Sequence, residues 1–317
     1  MSAKPPPRGQ GQLSEGIALG LAASLAWGFY NVGTDIGRAD GFSSADLAML
    51  RYGVAALMLT PFLLIGSGRW RGVLSPARVF LLTATIGPPF ALLINTGYGI
   101  APLAHAVVIS PGTTMLTANL LHRLVDGHSM PRHRKIGMAM LCLGLVAIAA
   151  DQPASKQDGL PVWLGDLCFV GSGFLWGVFT WLAGRWRLPA VETTAAVSLL
   201  SAVIFLPVYL MGFGIPQRPL ALWLEQAVYQ GVLGGCLAIV AFAACVSRLG
   251  AGPAALFPAL VPPLAVLIAI PLDGQWPSLL QWLGISLGAA GLVISLDAAR
   301  ALLRKDAGSR VRAKGCG

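Results

Sequence analysis

From Glu15 almost to Arg300 the chain is a succession of apolar stretches, most of them about twenty residues long. A stretch of roughly 20 apolar residues matches a hydrocarbon core about 30 Å thick. Backbone groups inside that core need partners within the protein, and a helix supplies them within its own segment. The sequence therefore predicts an all-α polytopic membrane protein. Ten transmembrane helices are expected, over 15–36, 46–66, 78–100, 103–124, 135–150, 162–184, 192–213, 226–248, 252–272 and 278–298. The fifth is short, and only Ala101-Pro102 divides the third from the fourth. Composition closes off the soluble alternative. The chain is 56% hydrophobic and 11% charged, with a mean hydropathy of +0.71, where a soluble domain carries about 25% charged residues. Too few charges remain to coat a soluble surface.

Lys and Arg favour the cytoplasmic side of a membrane protein. With the N-terminus inside, eighteen of the 22 basic residues fall in inside segments, and three, Arg38, Lys156 and Arg218, fall outside. Arg51 lies within the second span. A wrong helix count would scramble this bias, so it supports ten spans with both termini in the cytoplasm. The net charge of +9 resides in those inside loops and in a basic tail, 300–317, set against an anionic leaflet. Nucleic acid is not an expected partner, since no recognisable domain remains to bind it. Residues 1–14 form a polar arm. The first apolar run is too long for a signal-peptide core and is expected to stay as an anchor. The five Cys form no CxxC pair and are expected to be small buried helix residues.

The two halves repeat at an offset of about 147 residues. Asp126-Gly127 falls on Asp273-Gly274, Gly87 on Gly234, Pro111 on Pro258, and Gly137 and Gly144 on Gly284 and Gly291. Trp27-Gly28 matches Trp176-Gly177 with a two-residue slip. Each half holds five spans, an odd number, so the second half enters the membrane from the opposite side. Inverted repeats of this kind characterise secondary transporters, whose substrate site lies near the midplane between the repeats.

On these residues the chain resembles the drug/metabolite transporter superfamily, in particular its EamA-like members. Trp27-Gly28 and Trp176-Gly177 carry the resemblance, with the Asp-Gly pairs and the Gly-rich fifth helix of each half. It covers residues 15 to about 299, as one five-helix repeat over 15–150 and another over 162–299. The family usually has Glu after the fourth helix, where Asp126 and Asp273 stand here. Arg51-Tyr52 sits where the family often has Arg followed by an aromatic. The resemblance implies export or exchange of a small metabolite, often an amino acid, across a bacterial inner membrane.

The candidate substrate residues follow from polar and aromatic groups at unusual depth. Trp27 and Asn31 are four apart and share a helix face, as do Trp176 and Thr180. Both Trp lie near mid-span, away from the interfaces where Trp usually anchors. Either they line a cavity with Asn31 and Thr180, or they pack the bundle while the polar pair bonds between helices. Arg51 lies a few residues inside its span, where a charge is costly and marks function by default. It either holds a substrate carboxylate or pairs with Asp35. Asn95 and Tyr98 on the third span, and Ser110 and Thr114 on the fourth, make these spans unusually polar. Pro111 and the ninth span's Pro253, Pro258, Pro262 and Pro263 predict interrupted helices at matching positions. The competing explanation is hydroxyls bonding back to their own helix.

The chain has no HExxH, P-loop or nucleotide fingerprint, so no catalytic group, metal or cofactor is expected. The His residues of the inside loop, His122, His128 and His133, read as part of a solvated basic segment. Asp35, His105 and Tyr98 are the titratable groups within spans that could relay a proton. The expected protein is a carrier working by alternating access on a small polar or amphipathic metabolite. A non-transporting membrane enzyme or scaffold is the alternative.

Overall fold

The computed structural model describes residues 10–65, 68, 72–127, 132–150, 159–186, 188–249, 257–274 and 276–295. The basic tail over 300–317 and most of the N-terminal arm lie outside the described residues. So do His128, Lys156 and Pro253. The described residues form helices and no strands: α1 (Gln10–Ala39), α2 (Ser44–Ile65), α3 (Pro76–Ile86), α4 (Pro88–Tyr98), α5 (Leu103–Leu124) and α6 (Arg132–Ala150). The second half contributes α7 (Val162–Trp186), α8 (Ala190–Gly212), α9 (Leu220–Gln226), α10 (Ala238–Leu249), α11 (Val261–Asp273) and α12 (Leu279–Ser295). Among the described residues, six helical stretches are long and apolar enough to cross a membrane. They are Ser14–Ala39, Ser44–Ile65, Pro76–Tyr98, Val162–Trp186, Ala190–Gly212 and Leu220–Cys245. Shorter apolar helices accompany them. Large apolar side chains such as Leu57, Leu64, Phe80 and Met211 point outward, as lipid contact requires. This is an all-helical, multi-pass membrane protein.

Local chemistry sets the helix ends. Ser43 and Asp46 cap α2 reciprocally: Asp46 N donates to Ser43 Oγ, and Ser43 N donates to Asp46 Oδ2, a capping box with Asp in place of the usual Glu. The third predicted span is two helices. Pro88 and Pro89 cannot continue α3, but they suit the first turn of α4, where no N–H is needed. The Tyr52 hydroxyl lies 2.7 Å from both the Ile86 and the Gly87 carbonyl oxygens and donates into this break. The eighth predicted span is also irregular. A π-helical segment, Ala227–Leu237, joins α9 to α10. π-turns of this kind occur often at functional sites.

The interruption expected in the fourth span is absent, because α5 runs through Pro111 unbroken. In the ninth, Pro258 falls in a 3₁₀ turn, Phe257–Leu260, and Pro262 and Pro263 start α11. The matched breaks therefore lie in the third helix of each half, at Gly87 and around its counterpart Gly234. Cys142, expected to be buried, is exposed on an apolar helix.

The packing of one half mirrors the other. α1 lies against α10, the π segment and α11, while α7 lies against α3, α4 and α5. α2 pairs with α8 and α6 with α12. Gly177 explains one Trp-Gly motif: a Cβ there would fall 2.8 Å from the Thr114 backbone oxygen. Only glycine lets α7 approach α5 so closely. Gly28 is less tightly held, with a Cβ reaching 3.0 Å from Ile268 on α11. The main core gathers Tyr52, Phe90, Tyr98, Phe169, Phe205 and Tyr209 between these helices.

Candidate functional site

Arg51 is a cation buried within the bundle. It is 7% exposed, and its guanidinium lies 4.8 Å from the Tyr30 ring centroid and 5.7 Å from that of Phe90. The ion pairs formed among the described residues do not include it. Aromatic faces attract a cation, yet they do not neutralise it.

Phe90 links Arg51 to Trp176. Their rings are 4.9 Å apart and tilted at 56°. Trp27 makes the equivalent contact with Phe242, at 5.5 Å and 54°. Each Trp of the repeated motif thus packs on a phenylalanine from the third helix of the opposite half. Tyr98 is 1% exposed and donates to Asn31 Oδ1 at 2.7 Å. Asn95 is equally buried. Its Nδ2 donates to Ser44 O at 3.2 Å, while Oδ1 is buried without a hydrogen-bond partner among the described residues. The Tyr30 hydroxyl is in the same condition. Buried polar atoms are normally satisfied, so these two mark acceptor and donor capacity beside Arg51's helix.

Asn31, Arg51, Tyr98 and Trp176 therefore sit in one contiguous stretch of core, with Phe90 and Tyr30 among them. Ser110 and Thr114 lie along the α5–α7 seam. Ser110 Oγ is 3.2 Å from Ser172 Oγ, and Thr114 Oγ1 donates to Ser110 O and Gly173 O. Thr180 is exposed and donates back to Trp176 O at 2.8 Å, so it does not join the central group. Trp27 packs on Phe242 of α10.

Sequence reasoning missed four participants. Tyr30 and Phe90 carry no signal beyond being aromatic in a span. Gln226 and Gln230 form a buried amide pair at the start of the π segment. Gln230 Nε2 donates to Thr34 Oγ1 at 2.9 Å, and Gln226 Nε2 and Gln230 Oε1 are left over. The irregular backbone that places them depends on hydrogen-bond register, which no spacing rule predicts.

A second feature lies at the other end of the α5–α7 seam. A cleft of about 340 Å³ is lined by Asn119, His122, Asp126, Thr180, Trp181 and Arg185, among others. Asp126 accepts from Trp181 Nε1 at 2.8 Å, from His122 Nδ1 at 2.9 Å, and from Arg185. The Trp181 indole, ahead of His122 and Arg185, holds this carboxyl below its ordinary range against the opposing effect of desolvation. These contacts bind the loop after α5 to α7, and His122 belongs to them as well as to the basic loop.

Comparison with known proteins agrees with this arrangement. The model of the EamA-like transporter family matches residues 14–150 and again 163–296. An uncharacterized inner membrane transporter, YedA of Escherichia coli strain K12, is 24% identical over 253 residues, covering 78% of this chain and 80% of that protein. Its counterparts in strains O6:H1 and O157:H7 match equally. A solved crystal structure superposes with a TM-score of 0.61 at 19% identity, over 91% of this chain and 99% of the other.

Proposed function

The chain belongs to the EamA-like transporter family, and from that premise we propose a secondary carrier that exports a small carboxylate-bearing metabolite, an amino acid or a related compound. It works by alternating access in a bacterial inner membrane, with both termini in the cytoplasm. Ten spans form two inverted repeats, 15–150 and 162–299, and the substrate lies between them. The basic tail, 300–317, rests on anionic headgroups of the inner leaflet. Cross-half packing supports the two-repeat reading: each motif Trp packs at a tilt on a Phe of the other half.

One observation carries the choice of substrate. Arg51 is buried among aromatic rings and joins none of the ion pairs among the described residues. A substrate carboxylate would supply the missing charge, and Arg binds that group with two parallel hydrogen bonds. Trp176 and Phe90 offer an apolar wall beside it. Asn31 and Asn95 offer hydrogen bonds for an amino group or a polar tail.

The test is counterflow into liposomes holding the purified protein, screened over amino acids, nucleosides and cationic dyes. Amino acids are expected to exchange, and at the screening concentration Arg51→Met is expected to fall to background while Arg51→Lys keeps a weak signal. Exchange of cationic dyes alone would reverse the assignment of charge. Exchange of no compound in the screen would favour a membrane enzyme or scaffold.

A further inference from the structure

We propose that His105 and Asp166 form a proton-binding site that couples substrate movement to a proton gradient. The inference rests on the carrier reading above and adds the ion that drives it. His105 Nδ1 lies 2.8 Å from Asp166 Oδ1. The imidazole is fully buried, while the carboxylate side chain keeps 16% of its surface exposed. The other ring nitrogen, Nε2, is buried with no hydrogen-bond partner among the described residues. Native folds leave few such atoms, and those that remain call for an explanation. An imidazole nitrogen placed this way is a seat for a proton, and histidine is the side chain whose charge changes near neutral pH.

The location makes the proton relevant to transport. His105 is on α5 and Asp166 on α7, so the pair spans the junction between the two halves. Gly165, next to Asp166, packs on Ala101 so closely that a Cβ would fall 2.6 Å from the Ala101 Cβ. Phe169, one turn after Asp166, meets the Tyr98 ring edge-on at 5.4 Å, and Tyr98 donates to Asn31 in the candidate substrate site. A motion that parts α7 from α4 and α5 at this end opens the route to Tyr98 and breaks the His105–Asp166 contact in the same step.

Asp46, Asp126 and Glu15 are engaged in holding the fold. Asp46 accepts from Ser43 N and from the Tyr209 hydroxyl. Asp126 is held by Trp181, His122 and Arg185, and Glu15 pairs with Arg248. The charged and titratable groups on elements packed against α5 are few at the His105 end. α1 brings Asp35 and Arg38, α4 brings Tyr98, α7 brings Asp166 and Cys168, and α11 ends at Asp273. α12 has no titratable side chain, and the basic residues of α6, Arg132 to Lys135, stand at the opposite end of the helix pair.

In the form open to the outside, the parted imidazole takes a proton from hydronium in the external solution: one Nε2–H bond forms, one O–H bond breaks and water is left. Closure restores the contact between the imidazolium and the Asp166 carboxylate. In the form open to the cytoplasm the Nε2–H bond breaks, the proton leaves along the opened substrate path past Tyr98 to form hydronium in cytoplasmic water, and the ring is neutral again. One proton enters for each substrate that leaves.

The test uses the full chain in liposomes containing the pH dye pyranine, with a carbon-14-labelled L-amino-acid mixture as the transported probe. An acid interior is expected to drive label above its equilibrium level in step with proton exit. His105→Gln and Asp166→Asn are expected to retain measurable counterflow and to lose the pH-driven accumulation. Normal counterflow in the wild type without pH-driven accumulation would overturn the proposal and leave the carrier reading standing. So would undiminished accumulation in both variants. Absence of wild-type counterflow would overturn both. Should either variant fail to insert, Asp166→Glu decides. A shifted pH midpoint of accumulation supports the pair, and an unchanged midpoint removes it.

Discussion

Replacing Arg51 by methionine separates transport from stability. Two opposing terms govern the stability of the variant. The guanidinium lies over two rings, at 4.8 and 5.7 Å, and a desolvated cation–π contact contributes about 2 kcal/mol, so the variant loses roughly 4 kcal/mol of attraction. It also escapes the penalty of burying a charge, which is several kcal/mol for each ion even after relaxation. Methionine fills similar space and recovers about 0.3–1.5 kcal/mol against the same rings. The terms nearly cancel, so the melting temperature in detergent is expected to hold or rise. Transport behaves differently. A hydrogen bond to a charged group is worth about 1.5–3 kcal/mol, which is about 10- to 150-fold in affinity. Counterflow half-saturation for amino acids should weaken by that factor. A stability loss above about 3 kcal/mol, the scale for breaking a buried ion pair, with unchanged affinity, would refute the reasoning and make Arg51 a structural residue.

Three further outcomes follow from the same structure. Trp27→Ala removes one ring pair and Trp176→Ala two, each worth about 0.5–1.5 kcal/mol; both variants should stay monodisperse, and the half-saturation of counterflow should rise about tenfold for Trp176→Ala. Asp126 has its carboxyl held below the ordinary range, so its contribution is present above the unfolded-state value and is lost as pH falls through the lower folded-state value. Thermal stability in detergent should therefore drop at acid pH in the wild type, and this part of the pH dependence should vanish in Asp126→Asn. In cells expressing a chain freed of its five Cys, Arg218→Cys should react with an impermeant thiol reagent and Arg132→Cys should not; the reverse pattern would invert the topology.

Much of the architecture was legible because the bilayer imposes it. Apolar length alone located the helices: the predicted fourth span, 103–124, and the observed α5, Leu103–Leu124, coincide. The Trp-Gly repeat was legible as well, and Gly177 supplies its physical reason in the close approach of α5. Proline was a poorer guide. Pro111 is absorbed in a continuous helix, since hydroxyls and neighbouring helices can meet the freed backbone groups, whereas Pro88-Pro89 breaks its helix outright. The π segment had no proline to announce it. Hydroxyl-bearing residues were ambiguous for a related reason. Thr180 bonds to its own helix, as exposed threonines do when no better partner is near, while Asn31 reaches across to Tyr98. The partners of Arg51 and His105 lie on other helices, so only tertiary packing brings them together.

The central claim is a substrate site reached from each side of the membrane in turn. Asn31, half-buried on α1 and bonded to Tyr98, is the position to probe. Asn31→Cys, in a chain without other cysteines, would be placed in right-side-out and inside-out vesicles and treated with a membrane-impermeant trimethylammonium methanethiosulfonate. Labelling is expected from both sides, slowed in each case by the amino acids that exchange in counterflow. Labelling from one side only, at a rate that no transported compound changes, would contradict it.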